Sequence, residues 1–184
     1  DSVAGDMERH YSPGRTWEAL ARTAVPLLDP GDVLDIASGD GVLAELLAPH
    51  SQRYICLDAS RRVVNAASER LRVHPNVEVR EGDMHALPFA DASFDLVVMM
   101  HALTYSAKPA HAVAEAARVL RPGGRVLLSS LGRHAHAAAV EPFGHVNLGF
   151  SQKDLQKFIE KAGLQLQDAG TVTRERRPPH FEVV

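Results

Sequence analysis

Three aspartates and two glycines stand where a chain could hold a nucleoside. In "DIASGDG" (35–41), Gly39 and Gly41 let the backbone approach a ligand closely and adopt positive φ. Asp58 follows Asp35 by 23 residues and Gly41 by 17. An acid at that distance, at the tip of a second strand, can accept both hydroxyls of a ribose. The alternative is an acid at the start of the helix that follows Ser60. In "EGDMHALPF" (81–89), Asp83 can accept from an exocyclic amine such as that of adenine, and Met84 can pack against a purine face. The alternative for Asp83 is a solvated loop acid. The glycines do not spell a dinucleotide loop: in G-x-G-x-x-G, Ala37 would take the first place and Val42 the third.

Residues so far apart in sequence need elements to bring them together. Short apolar runs at 32–37, 53–59, 76–83, 94–100 and 125–131 read as strands. Between them, 41–50, 60–73 and 109–121 carry helical spacing, with Pro49 ending the first, Ser60 capping the second and "PGG" (122–124) stopping the third. A helix over 16–28, capped by Thr16 and anchored by Trp17, precedes them. A capped helix over 151–163 with Gly163 as its stop follows, and "LQLQDAGTVTRE" and "HFEVV" read as a closing pair of strands. Alternation of this kind predicts an α/β fold, a doubly wound and mostly parallel sheet with helices on both faces. Ligands of such sheets sit beyond the carboxyl ends of the strands, where Asp35, Asp58 and Asp83 fall.

The 184 residues suffice for one domain with one core, and 45% apolar against 23% charged residues is ordinary for a globular protein. A net charge of −3 argues against a nucleic-acid surface spread over the domain. Cys56 is the single cysteine, so no internal disulfide or cysteine-rich metal site is expected, and a cytoplasmic setting is the simple reading. No apolar run reaches the ~18 residues of a membrane span. The chain opens at Asp1 and stops inside a strand-like run, which reads as a piece of a longer polypeptide.

"VLDIASGDG", "CLDAS", "EGDMHALPFADASFDLVV" and "VLRPGGRVLLSS" together resemble the class I S-adenosylmethionine-dependent methyltransferases over roughly residues 31–170. The resemblance implies a Rossmann-like seven-stranded sheet with its last strand antiparallel, and "HFEVV" as an edge-forming hairpin partner. It implies S-adenosyl-L-methionine as cofactor and S-adenosyl-L-homocysteine as product. Asp35, Ala37, Gly39 and Gly41 would border the methionine part, Asp58 and Ala59 the ribose, Asp83 and Met84 the adenine, and Met100 and His101 the methyl group. Ala37 replaces the family's glycine, which alanine can do provided its φ is below zero. Residues 1–30 would form a lid segment and helix, in which Tyr11 closes over the methionine end and Arg15 pairs with its carboxylate. Residues 31–184 would form the cofactor domain.

Methyl transfer from a sulfonium needs chiefly alignment, and a base only where the acceptor must lose a proton. His101, Tyr105 and His145 are the candidates. His134 and His136 invite a metal reading, but on a helix i and i+2 would point apart, an alternation on a strand would need more ligands nearby, and there is no cysteine cluster, so no metal site is expected. Strand four ends in "MMHAL" rather than the Pro-Pro-Tyr type sequence of DNA amino-methylases, and no cysteine stands where a cytosine-C5 nucleophile would. A small molecule is therefore the expected acceptor. "YSPGRTWEALAR" (11–22) and "RERRPPHFEV" (174–183) also resemble the methyltransferase-like half of ArsR-type bacterial transcription regulators. That resemblance implies an alternative, a ligand sensor attached to a winged-helix DNA-binding half in a homodimer, with no nucleic-acid contact by this domain itself.

Overall fold

The computed structural model describes residues 17–184, and of Trp17 the backbone alone. Tyr11, Arg15 and Thr16 lie outside the described residues, as does the side chain of Trp17.

Helix α1 (Trp17–Ala24) runs into a 3-10 turn at Pro26, and the chain then enters β1 (Asp32–Ile36). The order continues α2 (Val42–Leu47), β2 (Arg53–Asp58), α3 (Arg61–Leu71), β3 (Val77–Glu81), β4 (Phe94–Met100), α4 (Pro109–Val119) and β5 (Leu120–Ser129). These five strands form one parallel sheet in the order β3-β2-β1-β4-β5. The chain winds outward from β1 in one direction, then crosses to β4 on the other side. The strand order therefore reverses between β1 and β4, which opens a crevice at their carboxyl ends.

Alternation along the central strands sorts the core into two layers. Leu34 and Ile36 face a layer with Met99 and with Ala112, Val113 and Ala116 of α4. Val33, Tyr54, Cys56 and Val98 face the other, against Ala44 and Leu47 of α2 and Ala67 and Leu71 of α3. At the amino ends of the strands, Arg121 bridges Asp95 (2.7 Å) and Asp32 (2.8 Å), so the carboxyl ends are left free for binding.

One boundary and one cap bond differ from the sequence expectation. Helix α4 stops at Val119, because Leu120 already pairs with Phe94 before an irregularity carries the ladder to Leu96 and Arg125. The Ser60 side chain makes no cap bond at α3; the Asp58 carboxylate takes the Ser60 amide instead (2.9 Å). Helix α6 (Gln152–Lys161) follows the short α5 (Ala137–Val140) and is capped as expected, by a reciprocal Ser151–Asp154 box.

The sheet also differs from seven strands. Beyond its five parallel strands there is a two-residue antiparallel pair, β6 (Thr173–Arg174) with β7 (Glu182–Val183). Val184 exchanges both backbone bonds with Ser130 (2.9 Å each), and the Gly132 amide donates to the Glu182 carbonyl (2.8 Å). The end of the chain thus runs antiparallel beside the continuation of β5, and β6 rather than "HFEVV" occupies the outer edge. The pairing stays short because it draws on a few residues of each segment.

Candidate functional site

The first turn is built by three successive departures from ordinary backbone. Ala37 has φ +56, Gly39 φ +58 and Gly41 φ +84. Ala37 is therefore in the left-handed region, contrary to the negative φ on which its replacement of glycine was expected to depend. The turn keeps its shape with alanine and carries the steric cost of that conformation. At Gly41 a Cβ would lie 2.6 Å from Leu71 Cδ1, so Leu71 would have to shift, and the φ of +84 strains any residue but glycine. Gly41 brings α2 and α3 together behind the turn, while Ala37, Ser38 and Gly39 face the crevice.

Asp35 sits below this turn, 2% exposed, and accepts from the Tyr54 hydroxyl (2.9 Å). Burial pushes its carboxyl up to about 7, opposed by the Tyr54 bond and assisted by the Asp58 charge. Asp58 is shared between the two roles considered for it. One oxygen takes the Ser60 amide, the helix-start role; the other takes the Gly39 amide (3.2 Å) and ties the first turn to the second strand. Each oxygen has a further lone pair for a ligand hydroxyl.

Asp83 is not a free loop acid. One of its oxygens accepts from the His85 amide (2.8 Å) and meets His85 Nδ1 at 2.7 Å. Those two bonds hold its carboxyl below the usual carboxylate range. His85 lines the crevice and was missed by sequence reasoning, although its spacing two residues after Asp83 is a signal for this type of local bond.

At the end of β4, His101 has φ +57 and donates its amide to the Ser129 carbonyl (2.9 Å). Burial first, and the nearby His145 second, lower its pKa below the usual histidine value. Tyr105 follows on the crevice wall, and the His145 ring stands edge-on to it at 5.3 Å. His145 itself is behind this wall rather than part of it.

Together these residues enclose about 930 Å³ at the carboxyl ends of β1, β2, β3 and β4. Asp35, Ala37, Gly39, Asp58, Ala59, Asp83, Met84, Met100 and His101 all line it, with an apolar side from Val42, Leu43 and Leu46. A second cleft of about 550 Å³ lies by the terminal strands, between His134, His136, His180 and Phe181. His134 and His136 flank a bend at Ala135, outside any helix, and their rings come together, 6.0 Å apart and 16° from parallel. The larger cavity has the acids, the glycine turn and the strand ends, so it is the candidate site.

The family described as "Methyltransferase domain" matches residues 34–128, just over half of the 184. The chain belongs to the class I S-adenosylmethionine-dependent methyltransferases. Among curated relatives of this chain, the "Probable S-adenosylmethionine-dependent methyltransferase" of Mycolicibacterium smegmatis is 35% identical, covering 74% of this chain and 53% of its own. The 27-O-demethylrifamycin SV methyltransferase of Amycolatopsis mediterranei is 32% identical, covering 84% of this chain and 61% of its own. Among solved structures, the YcgJ protein of Bacillus subtilis aligns with a TM-score of 0.70 at 27% identity, covering 85% of this chain and 70% of that one. The chain spans about a quarter to three fifths of the length of these and other curated relatives that it matches. The family's cofactor is S-adenosylmethionine.

The residues present fit that cofactor. A Cβ built on Gly39 meets nothing within 4 Å, so the turn presents open backbone. Ser38 Oγ is buried beside the Cys56 thiol with no partner in hydrogen-bond geometry. Carboxylates at two separate points and an apolar wall between them suit a nucleoside with a polar tail. Among the described residues, no helix is long and apolar enough to cross a membrane.

Proposed function

We propose that this chain catalyses methyl transfer from S-adenosylmethionine to a small molecule, with the 930 Å³ cavity as its active site. The observation that carries the reading is the convergence of Asp58, Asp83 and His101 on one cavity from the ends of three different strands. Asp58 would accept the ribose hydroxyls, Asp83 the adenine amine, and the Ala37–Gly39 turn would meet the methionine part. Met84 would lie against the purine. When bound, S-adenosylmethionine supplies an electrophilic methyl group on a sulfonium, which leaves as a neutral thioether once a nucleophile takes the methyl.

The chain's own task is then alignment and, for a hydroxyl acceptor, proton removal. The relative named for 27-O-demethylrifamycin SV supports an oxygen acceptor. His101, on the cavity wall at the end of β4, would take the proton, since burial and then His145 favour its neutral imidazole. Tyr105 forms the aromatic wall beside it, with the His145 ring packed edge-on against Tyr105. Tyr11 and Arg15, on the segment before α1, are proposed to close over the methionine end.

Calorimetry with S-adenosylmethionine and S-adenosylhomocysteine, followed by a methyl-transfer screen over small hydroxylated and aminated molecules, tests this. Binding of both and turnover of an acceptor is the expected outcome. Asp58→Ala should weaken both ligands by tenfold or more, on the order of the 1.5–3 kcal/mol of hydrogen bonds to a charged group; unchanged affinity would reject its role. The sensor reading rests on sequence strings alone, and none of the relatives described above carries a regulator's name. Tight S-adenosylhomocysteine binding without turnover, and ligand-dependent DNA binding by the full-length chain, would favour it.

A further inference from the structure

His85 belongs to a short relay that runs inward from the cavity. Its Nδ1 lies 2.7 Å from Asp83 Oδ1, and its Nε2 lies 2.7 Å from Ser106 Oγ. Ser106 Oγ in turn accepts the Lys108 amide (3.1 Å), one residue before α4. Asn147 Nδ2 donates to the Ser106 carbonyl (2.7 Å) and to the Leu103 carbonyl (3.0 Å), fixing the loop that carries Ser106. The polarity of the relay follows from what each group can give. A carboxylate only accepts, so Nδ1 carries a proton; in the neutral ring Nε2 then accepts from the Ser106 hydroxyl.

Aspartate, histidine and serine in this order also make hydrolytic triads. Ser106 is fully buried, so no substrate reaches it and the relay does not end in a nucleophile. Its open end is the Asp83 carboxylate, whose side chain is 64% exposed. Two donors from His85, amide and ring, converge on Oδ1. Neither takes Oδ2.

We propose that His85 is a positioning residue for cofactor recognition: it pins Asp83 by one oxygen, so that the other is presented to the exocyclic amine of adenine. The inference rests on the reading of Asp83 as the acceptor of that amine. Without the ring, the Asp83 side chain keeps the His85 backbone bond but loses its second fixed donor, and its rotamers spread into solvent. The consequence is specific to one atom of the ligand. His85 contributes to telling an amino purine from an oxo purine, and little to the rest of the binding.

Calorimetry with S-adenosylhomocysteine and S-inosylhomocysteine, which carry an amine and an oxo group at C6 and an acceptor and a donor at N1 respectively, tests the proposal on the full chain. The native protein should prefer the adenosyl ligand by about tenfold or more. His85→Ala should weaken the adenosyl ligand about fivefold and the inosyl ligand less than twofold, so that the preference collapses. His85→Asn, whose amide stands near the place of Nδ1, should restore most of it, and thermal unfolding of both variants confirms that they fold. An equal loss for both ligands in His85→Ala, or an unchanged preference, overturns the role of His85. Asp83→Ala separates the two levels. If it abolishes the preference while His85→Ala keeps it, only the positioning role falls. If it leaves the preference intact, or if the native protein shows none, the reading of Asp83 falls and the proposal with it.

Discussion

Ala37 shows how much a single methyl group can reveal about a turn. Its φ of +56 is the conformation that glycine adopts without cost, yet the chain holds alanine there, partly buried against the core. Replacing it by glycine relieves the strain but loosens the unfolded chain and removes a packed methyl. Ala37→Gly should therefore shift stability by less than about 1 kcal/mol, whereas the β-branched Ala37→Val should cost about 2 kcal/mol or more. Urea unfolding of the pair measures this; equal small effects would show that the turn relaxes.

Asp35 makes a pH prediction. Its carboxyl, raised to about 7 by burial, takes up a proton on folding at any pH between the unfolded value near 3.8 and that figure. Its contribution to stability is thus complete below about 4 and is lost as pH rises through about 7. Asp35→Asn keeps an acceptor for the Tyr54 hydroxyl and cannot ionise. The native protein should lose stability between pH 5 and pH 8, on the order of a few kcal/mol, and the variant much less of it. The same slope in both proteins would reject the buried acid as the cause. His101 carries the opposite kind of shift. If it takes the acceptor's proton, turnover should fall only below pH 6.5, where its lowered pKa finally lets it charge, and His101→Gln should remove that limb of the kcat profile.

At the scale of elements, the site is held open by the way helices meet strands. Gly41 starts α2 in a left-handed conformation and lets it lie against Leu71 of α3. Gly41→Ala adds both strain and a contact of 2.6 Å, so it should cost about 2 kcal/mol or more and weaken cofactor binding, because the turn and α2 line one cavity. A variant with native stability would show that α3 gives way. The elements themselves were largely legible. The strands at 32–36, 53–58 and 94–100 are apolar runs bounded by turn residues, and α6 is announced by Ser151 and stopped at Gly163. The misread parts have local causes. Ser60 looked like a cap, but a stronger acceptor, Asp58, sits two residues before it. His134 and His136 would diverge on a helix but come together here, because the chain bends at Ala135.

For the molecule as a whole, the reversal of strand order between β1 and β4 sets where a ligand can enter, and ligand binding there should act on the entire fold. At a hundred times its Kd, S-adenosylhomocysteine should add about 2.7 kcal/mol of stability and raise Tm by roughly 5–11 °C. Asp58→Ala should show little of that rise at the same ligand concentration; a full rise would place the ligand elsewhere, with the cleft by His134 and Phe181 the next place to look.

The amino-acid sequence by itself determined the alternation of strands and helices, and with it the placing of Asp35, Asp58 and Asp83 at strand ends, because periodicity and turn residues act over a few positions. It also carried the family, through strings such as "EGDMHALPFADASFDLVV". Only the tertiary structure decided that Ala37 is left-handed, that His85 joins Asp83 to Ser106, and that the chain's last residues lie between the continuation of β5 and β6. The physical reason is separation along the chain. His85 and Ser106 are 21 residues apart, and Ser130 and Val184 further still, so nothing in their local sequence records that folding brings their polar groups within hydrogen-bond reach.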